Sequence, residues 1–183
     1  MIALFSIAAV LAFAPPALPP DSIYLVEDRY EDQRGQALQL TAFRGHPVLL
    51  AMFYARCPQA CPLLISDVKR VLGAVPEAER RQVKVVVVTL DPERDTAAFL
   101  SETMKARGLD AAQWTLVRTD PAATRTLAAI LGVRYRAEAD GAIDHTSQIA
   151  LLDRWGRKVV VRAQIGAPVD GFAAAVVDVV RAP

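Results

Sequence analysis

The chain holds two cysteines, and both fall in one short stretch, "FYARCPQACPLL" (53–64). Cys57 and Cys61 are four residues apart, and a proline follows each. Four residues is roughly one helical turn, which puts the two Cα atoms about 6 Å apart with both side chains on one side. That distance admits a disulfide. It equally lets two thiolates grip one soft metal ion. The pair could also be a thiol redox couple, or two ordinary buried side chains, since free cysteine packs as a small hydrophobe. A bridge closing so short a loop would restrain the unfolded chain little. Two cysteines cannot staple a multi-bridge scaffold, so the fold stands on its hydrophobic core and the pair is available for chemistry.

The other metal-capable side chains are the two histidines. His46 lies in "RGHPV" and His145 in "IDHTSQIALL". A strand following His46 advances about 3.3 Å per residue, which carries it about 20 Å from Cys57, to the opposite end of a sheet. His145 precedes a later apolar run, and periodicity alone does not place it. If it meets the cysteines, the set is two thiolates and one imidazole. Such donors suit Cu(I), and with a fourth ligand they would hold Zn(II). The spacings of the common zinc modules are absent.

The elements that position these residues follow from hydrophobic pattern. "VLLAMFYA" (48–55) is a near-continuous apolar run, suited to a strand buried on both faces. Cys57 therefore stands just past the C-terminal end of a buried strand, where open α/β sheets place their sites. From Pro58 to about Val75, apolar residues recur at three and four, an amphipathic helix. Pro58 suits its first turn, and a thiol near a helix N-terminus is favoured as thiolate. Pro62 disfavours helical geometry at Cys61, so regular helix is expected to begin late.

"VKVVVVTLD" (83–91) reads as a second buried strand. "DPERDTAAFLSETMKARG" reads as a turn and a helix capped by Asp95 and ending at Gly108. "QWTLVR" (113–118) is a short strand. "DPAATRTLAAILG" has Asp120 as N-cap, Pro121 at the first helical position and Gly132 as C-cap. Strands near 146–152 and 158–164 flank a "DRWG" turn, and "PVDGFAAAVVDVVRA" closes as a helix. Earlier, "DQRGQALQL" looks like a hairpin turning at Gly35. The early alternation of strand and helix predicts parallel pairing with helical crossovers. The expected fold class is α/β, a thioredoxin-like sandwich with an extra N-terminal β-hairpin.

At 183 residues the chain can bury a sizeable core. Charge is balanced, 21 basic against 20 acidic residues, which argues against a nucleic-acid partner. Residues 1–20, "MIALFSIAAVLAFAPPALPP", carry no charge and end in prolines. The apolar run is short for a membrane span and suits a signal peptide or a short N-terminal anchor, which leaves 21–183 as the domain.

Three segments in order carry a family resemblance. "CPQACP" resembles the CxxxCP motif of the Sco/SenC family of copper-binding, thioredoxin-like proteins. "VTLDPERDT" resembles its DPxxDT segment, and "DHTSQIALLDRWGR" its late histidine, strand and turn. The agreement runs over about residues 30–180. The resemblance implies that Cys57, Cys61 and His145 are copper ligands, for Cu(I) first and Cu(II) as a second state, and that Cys57 and Cys61 also form a redox disulfide. It implies an exported protein on the periplasmic side of a membrane, or in the equivalent intermembrane compartment, with a membrane tether in many members. The implied partner is the copper-centre subunit of cytochrome c oxidase, with a thiol reductant or copper donor protein. Asp91 and Asp95 match the acidic positions. Read as residues, they start an Asp-Pro turn and cap a helix; the alternative role is contact with the metal loop or a partner.

Two functions are therefore expected. One is a copper metallochaperone. The other is a thiol–disulfide oxidoreductase in which Cys57 attacks and Cys61 resolves. Thioredoxin-like reductases usually use CxxC and a proline beside the active cysteines; the three-residue spacer and the absence of proline in "DHTSQIALL" favour copper. A thioredoxin-like peroxidase fits less well, because of the second cysteine and the late histidine.

Overall fold

The computed structural model describes residues 16–55, 60–139 and 141–183. The first part of the expected export segment, Cys57 and the helix start at Pro58 lie outside the described residues.

A seven-stranded sheet forms the centre. β1 (Tyr30–Asp32) and β2 (Ala37–Leu38) make the N-terminal hairpin; β3 (Val48–Phe53), β4 (Lys84–Thr89) and β5 (Trp114–Arg118) run parallel. The shared sheet order is β2-β1-β5-β4-β3, and two further strands extend it beyond β3. These are β8 (Ile149–Leu152), antiparallel to β3, and β9 (Lys158–Arg162), antiparallel to β8. Between β5 and β8 the chain forms a separate two-stranded ribbon, β6 (Tyr135–Ala137) with β7 (Ile143–His145).

All six residues of β3 are buried, as are the last five of β4. This is why both read as continuous apolar runs: helices cover both faces. α1 (Ala60–Ala74) follows β3, a short α2 (Glu77–Arg80) leads to β4, and α3 (Ala97–Ala106) crosses from β4 to β5. α4 (Pro121–Leu131) follows β5, and α5 (Asp170–Arg181) ends the chain against α1 and β9. α4 has the expected termini, with the Asp120 carboxylate accepting from the N–H groups of Ala122 and Ala123 and Gly132 left-handed at φ +80°. The expected α/β sandwich with an N-terminal hairpin is present.

The two outer hairpins close by the same device. In "DQRGQ", Asp32 Oδ1 accepts from the N–H groups of Arg34 (2.8 Å) and Gln36 (2.9 Å), and Gly35 adopts φ +76°. In "DRWGR", Asp153 Oδ1 accepts from Trp155 and Arg157 N–H, both at 2.9 Å, and Gly156 adopts φ +80°. In each the aspartate satisfies the turn's inner N–H groups while glycine supplies the positive φ.

Three expectations are corrected. Regular helix does not wait until after Cys61: α1 begins at Ala60 and takes in Cys61, so Pro62 falls in its first turn, where a proline costs no helix hydrogen bond. Asp95 does not cap α3. Thr96 does, its side chain accepting from Phe99 N–H at 3.3 Å, and the buried face of α3 is Leu100 and Met104. Asp95 is turned inward instead, because buried donors behind it need an acceptor. The ribbon β6–β7 also goes unforeseen: the stretch before Ile149 reads as one approach to a hairpin, yet it forms a hairpin of its own.

Candidate metal centre

β3 delivers the chain to the C-terminal edge of the sheet. There Tyr54 and Ala55 lead toward the cysteine loop. Cys61 is the second residue of α1, so its backbone lies in the first turn of a helix whose free N–H groups favour negative charge.

His145 arrives at the same edge by strand pairing. β8 runs antiparallel to β3 with Ile149 opposite Ala51. Followed back from Ile149, that register leads along the last residues of β3 and then past its end, to the cysteine side. His145, the last residue of β7, is half-buried there. Its ring meets Tyr54 edge-on, with centroids 5.7 Å apart and planes at 74°. Tyr54 is three residues before Cys57. His145 Nε2 is buried and has no hydrogen-bond partner among the described residues. A buried imidazole nitrogen left so costs about 1–3 kcal/mol, a cost a bound cation removes. His46 is exposed at the start of β3, at the other end of the sheet, as its spacing predicts.

The segment "TLDPERD" connects both sides. Asp95 is fully buried. Its Oδ2 accepts from Ala55 N–H at 2.7 Å and from the Thr89 hydroxyl at 2.6 Å. Thr89 Oγ1 in turn accepts from Asp91 N–H at 3.0 Å. Asp91 starts the expected turn, its carbonyl accepting from Asp95 N–H at 2.9 Å, and its carboxylate pairs with Arg94 Nε at 2.6 Å. Arg94 Nη2 donates across to the carbonyl of Gly141, in the turn of the β6–β7 ribbon, at 2.7 Å. Sequence reasoning identifies Asp91 and Asp95 but misses Tyr54 and Arg94. Tyr54 is the polar-tipped aromatic at the end of an apolar run, a signal for a strand-end contact. Arg94 carries no comparable signal.

Among the described residues no three His, Cys, Asp or Glu side chains close a metal cage by themselves. A cleft of about 360 Å³, lined by Arg134, Tyr135, Arg136, Asp144, His145 and Thr146, opens the histidine side to solvent. Among the described residues no helix is long and apolar enough to cross a membrane.

The profile described as SCO1/SenC matches residues 27–180. A copper-binding protein of Stutzerimonas stutzeri is 34% identical over 65 residues, 36% of this chain and 32% of that protein. The curated relatives that match are aligned over 27% to 36% of their own length. Among solved structures, ScoI of Bradyrhizobium japonicum with copper bound is 26% identical, with a TM-score of 0.69 over 82% of this chain and 96% of that one. ScoI of Arabidopsis thaliana, also with copper bound, superposes with a TM-score of 0.74 at 21% identity, over 84% and 96%. These likenesses make the sandwich a thioredoxin-like one of the Sco type.

Proposed function

The chain belongs to the SCO1/SenC family, and on that premise we propose that it is a copper metallochaperone that carries copper as cargo on Cys57, Cys61 and His145 and assists assembly of the copper centre of cytochrome c oxidase. The observation that carries this reading is the buried His145 Nε2, without a hydrogen-bond partner among the described residues, held against Tyr54 three residues before Cys57. Two thiolates and one imidazole are a soft donor set, suited to Cu(I) and able to accept Cu(II). Loading the two thiols displaces their protons, so uptake strengthens as pH rises. Transfer proceeds by ligand exchange with the copper-centre subunit, and a thiol reductant keeps the pair reduced between rounds, with a copper donor protein upstream.

Asp95 supports the loop by holding Ala55 N–H, and Asp91 by holding Arg94. Residues 1–20 act as a signal peptide or short anchor and 21–183 as the copper-binding domain on the periplasmic side of the membrane, or in the equivalent intermembrane compartment. Fractionation of expressing cells with N-terminal sequencing of the product tests that placement; full-length protein in the cytosol overturns it.

The central test is Cu(I) titration of the reduced protein with X-ray absorption, for wild type and His145→Ala. Two sulfur and one nitrogen neighbours are expected, with loss of the nitrogen and at least a tenfold fall in affinity in the variant. Unchanged affinity and coordination would refute the assignment. Disulfide reduction that turns over robustly and survives His145→Ala would favour the thiol–disulfide oxidoreductase instead.

A further inference from the structure

We propose that Arg94 is a positioning residue: it fixes the hairpin that carries His145 against the segment that launches the cysteine loop. The inference rests on His145 being a copper ligand only for its consequence, not for its geometry.

The β6–β7 ribbon is not part of the seven-stranded sheet. Its own ladder, Tyr135 opposite His145 and Ala137 opposite Ile143, holds its two strands together, and Ile143 is buried in the core cluster, but neither fixes the turn beyond Ile143. At its open end it is tied by its chain connections. Thr146 N–H donates to Arg134 carbonyl at 2.9 Å, Arg134 N–H to Thr146 Oγ1 at 3.0 Å, and Gln148 Nε2 to Leu131 carbonyl at 2.5 Å. Its turn end lies four residues from His145, about 13 Å along an extended strand. With Ile143 seated in the core near the middle of that length, a fixed point at the turn sets the tilt of the strand and so the place of the imidazole.

Arg94 supplies it. One guanidinium uses Nε on Asp91 and Nη2 on the Gly141 carbonyl. Gly141 sits at φ +82°, and a Cβ there would come 3.0 Å from Arg94 Nη1, so the turn is shaped for close approach of the guanidinium. Asp91 is held through its N–H by Thr89 Oγ1, and Thr89 shares Asp95 Oδ2 with Ala55 N–H. The connection from Ala55 to Gly141 is thus continuous, and it spans the two sides from which copper donors would come. The fork geometry matters: a lysine ammonium keeps the charge but cannot make both contacts in one plane. Among the described residues Arg94 donates to Asp91 and Gly141, and through Gly141 it acts on the ribbon that carries His145.

The test uses the whole chain as wild type, Arg94→Ala, Arg94→Lys, His145→Ala and the Arg94→Ala/His145→Ala double variant. Two readouts are taken: the His145 ring resonances of the apoprotein by NMR, and Cu(I) affinity by chelator competition. In Arg94→Ala the His145 signals should shift and broaden while the unfolding midpoint stays close to wild type. Copper affinity should fall about tenfold or more, the scale typical of groups that orient a ligand. Arg94→Lys should not restore it. In the His145→Ala background, Arg94→Ala should cost nothing further, because it acts through the missing imidazole. Unchanged His145 resonances in Arg94→Ala, or full additivity in the double variant, would overturn the proposal. If wild type bound no copper, the metallochaperone reading would fall, and the apoprotein resonances would still decide the role of Arg94.

Discussion

The carboxylate of Asp95 accepts the backbone N–H of Ala55 at 2.7 Å, across 40 residues of chain. The same oxygen takes the Thr89 hydroxyl, so one fully buried side chain ties the end of β3 to the end of β4. Removing it strands a half-buried N–H and a buried hydroxyl. Asp95→Ala is therefore expected to lose on the order of 3 kcal/mol of stability. Asp95→Asn, which keeps one oxygen acceptor, should lose less. Urea unfolding of the three proteins checks this, and a midpoint for Asp95→Ala equal to wild type would contradict it.

A second buried carboxylate anchors the helix that carries Cys61. Asp67 on α1 pairs with Arg162 on β9, Nε to Oδ2 at 2.6 Å, and both side chains are buried. Arg162 also donates to the carbonyls of Ala167 and Pro168, and Asp67 Oδ1 accepts from Gly166 N–H. Removing one partner leaves the other charge buried without its counter-charge, so Asp67→Ala should cost about 3–5 kcal/mol. Replacing both by leucine should recover much of that loss, since an apolar pair carries no desolvation cost. Denaturant midpoints of the single and double variants measure it. A double variant no more stable than Asp67→Ala would contradict the argument.

What the sequence makes legible around this site is set by how strongly burial constrains each stretch. "VLLAMF" and the four valines of "KVVVVT" sit between two helical layers, so each of these residues is apolar and the strands are plain. The termini of α4 are equally plain, because Asp120, Pro121 and Gly132 each answer a specific backbone need. The β6–β7 ribbon is hidden by its chemistry. Its strands are three residues long, and Arg136, Ala137 and Asp144 are exposed, so no alternation survives to mark them. The place of His145 is readable only through pairing: once β8 is known to run against β3, Ile149 opposite Ala51 puts His145 on the cysteine side. Asp95 looks like a cap because Thr96, the true cap, is its neighbour. Only the tertiary fold reveals the donors of Ala55 and Thr89 behind it.

The N-terminal hairpin contributes acid sensitivity. Burial pushes the Asp32 carboxyl up, but hydrogen bonds from Gln36 N–H, the Arg34 side chain and Arg34 N–H, with the Arg34 charge, outweigh it and hold the group below its ordinary value. A carboxylate depressed in the folded state stabilises the protein above its unfolded pKa, near 3.9. That contribution is lost as pH falls through the folded value. Wild-type stability should therefore drop as pH is lowered below about 4, and Asp32→Asn should show a shallower drop from a lower starting point. Urea midpoints between pH 7 and pH 2.5 test it. An identical pH slope in the two proteins would count against the assignment.

The two Asp-x-x-Gly turns give a matched pair with unequal costs. Gly35 and Gly156 share the positive φ, so a Cβ is strained at both, by about 1–2 kcal/mol. At Gly35 the added atom would lie 3.7 Å from Glu31 Oε1, an ordinary contact. At Gly156 it would come 2.6 Å from Tyr24 Cδ2 and 2.8 Å from Ser22 Oγ. The Tyr24 ring cannot retreat, because it is buried in the core cluster, and Ser22 is held by its hydroxyl bond to the Trp155 carbonyl. Overpacking of that kind adds about 1–3 kcal/mol. Gly156→Ala should therefore be clearly less stable than Gly35→Ala, and Tyr24→Ala should erase most of that difference by opening the space the methyl group needs. Thermal and urea unfolding of Gly35→Ala and Gly156→Ala, each alone and in the Tyr24→Ala background, decide the point: equal losses at the two glycines would mean that the contact with Tyr24 carries no energy.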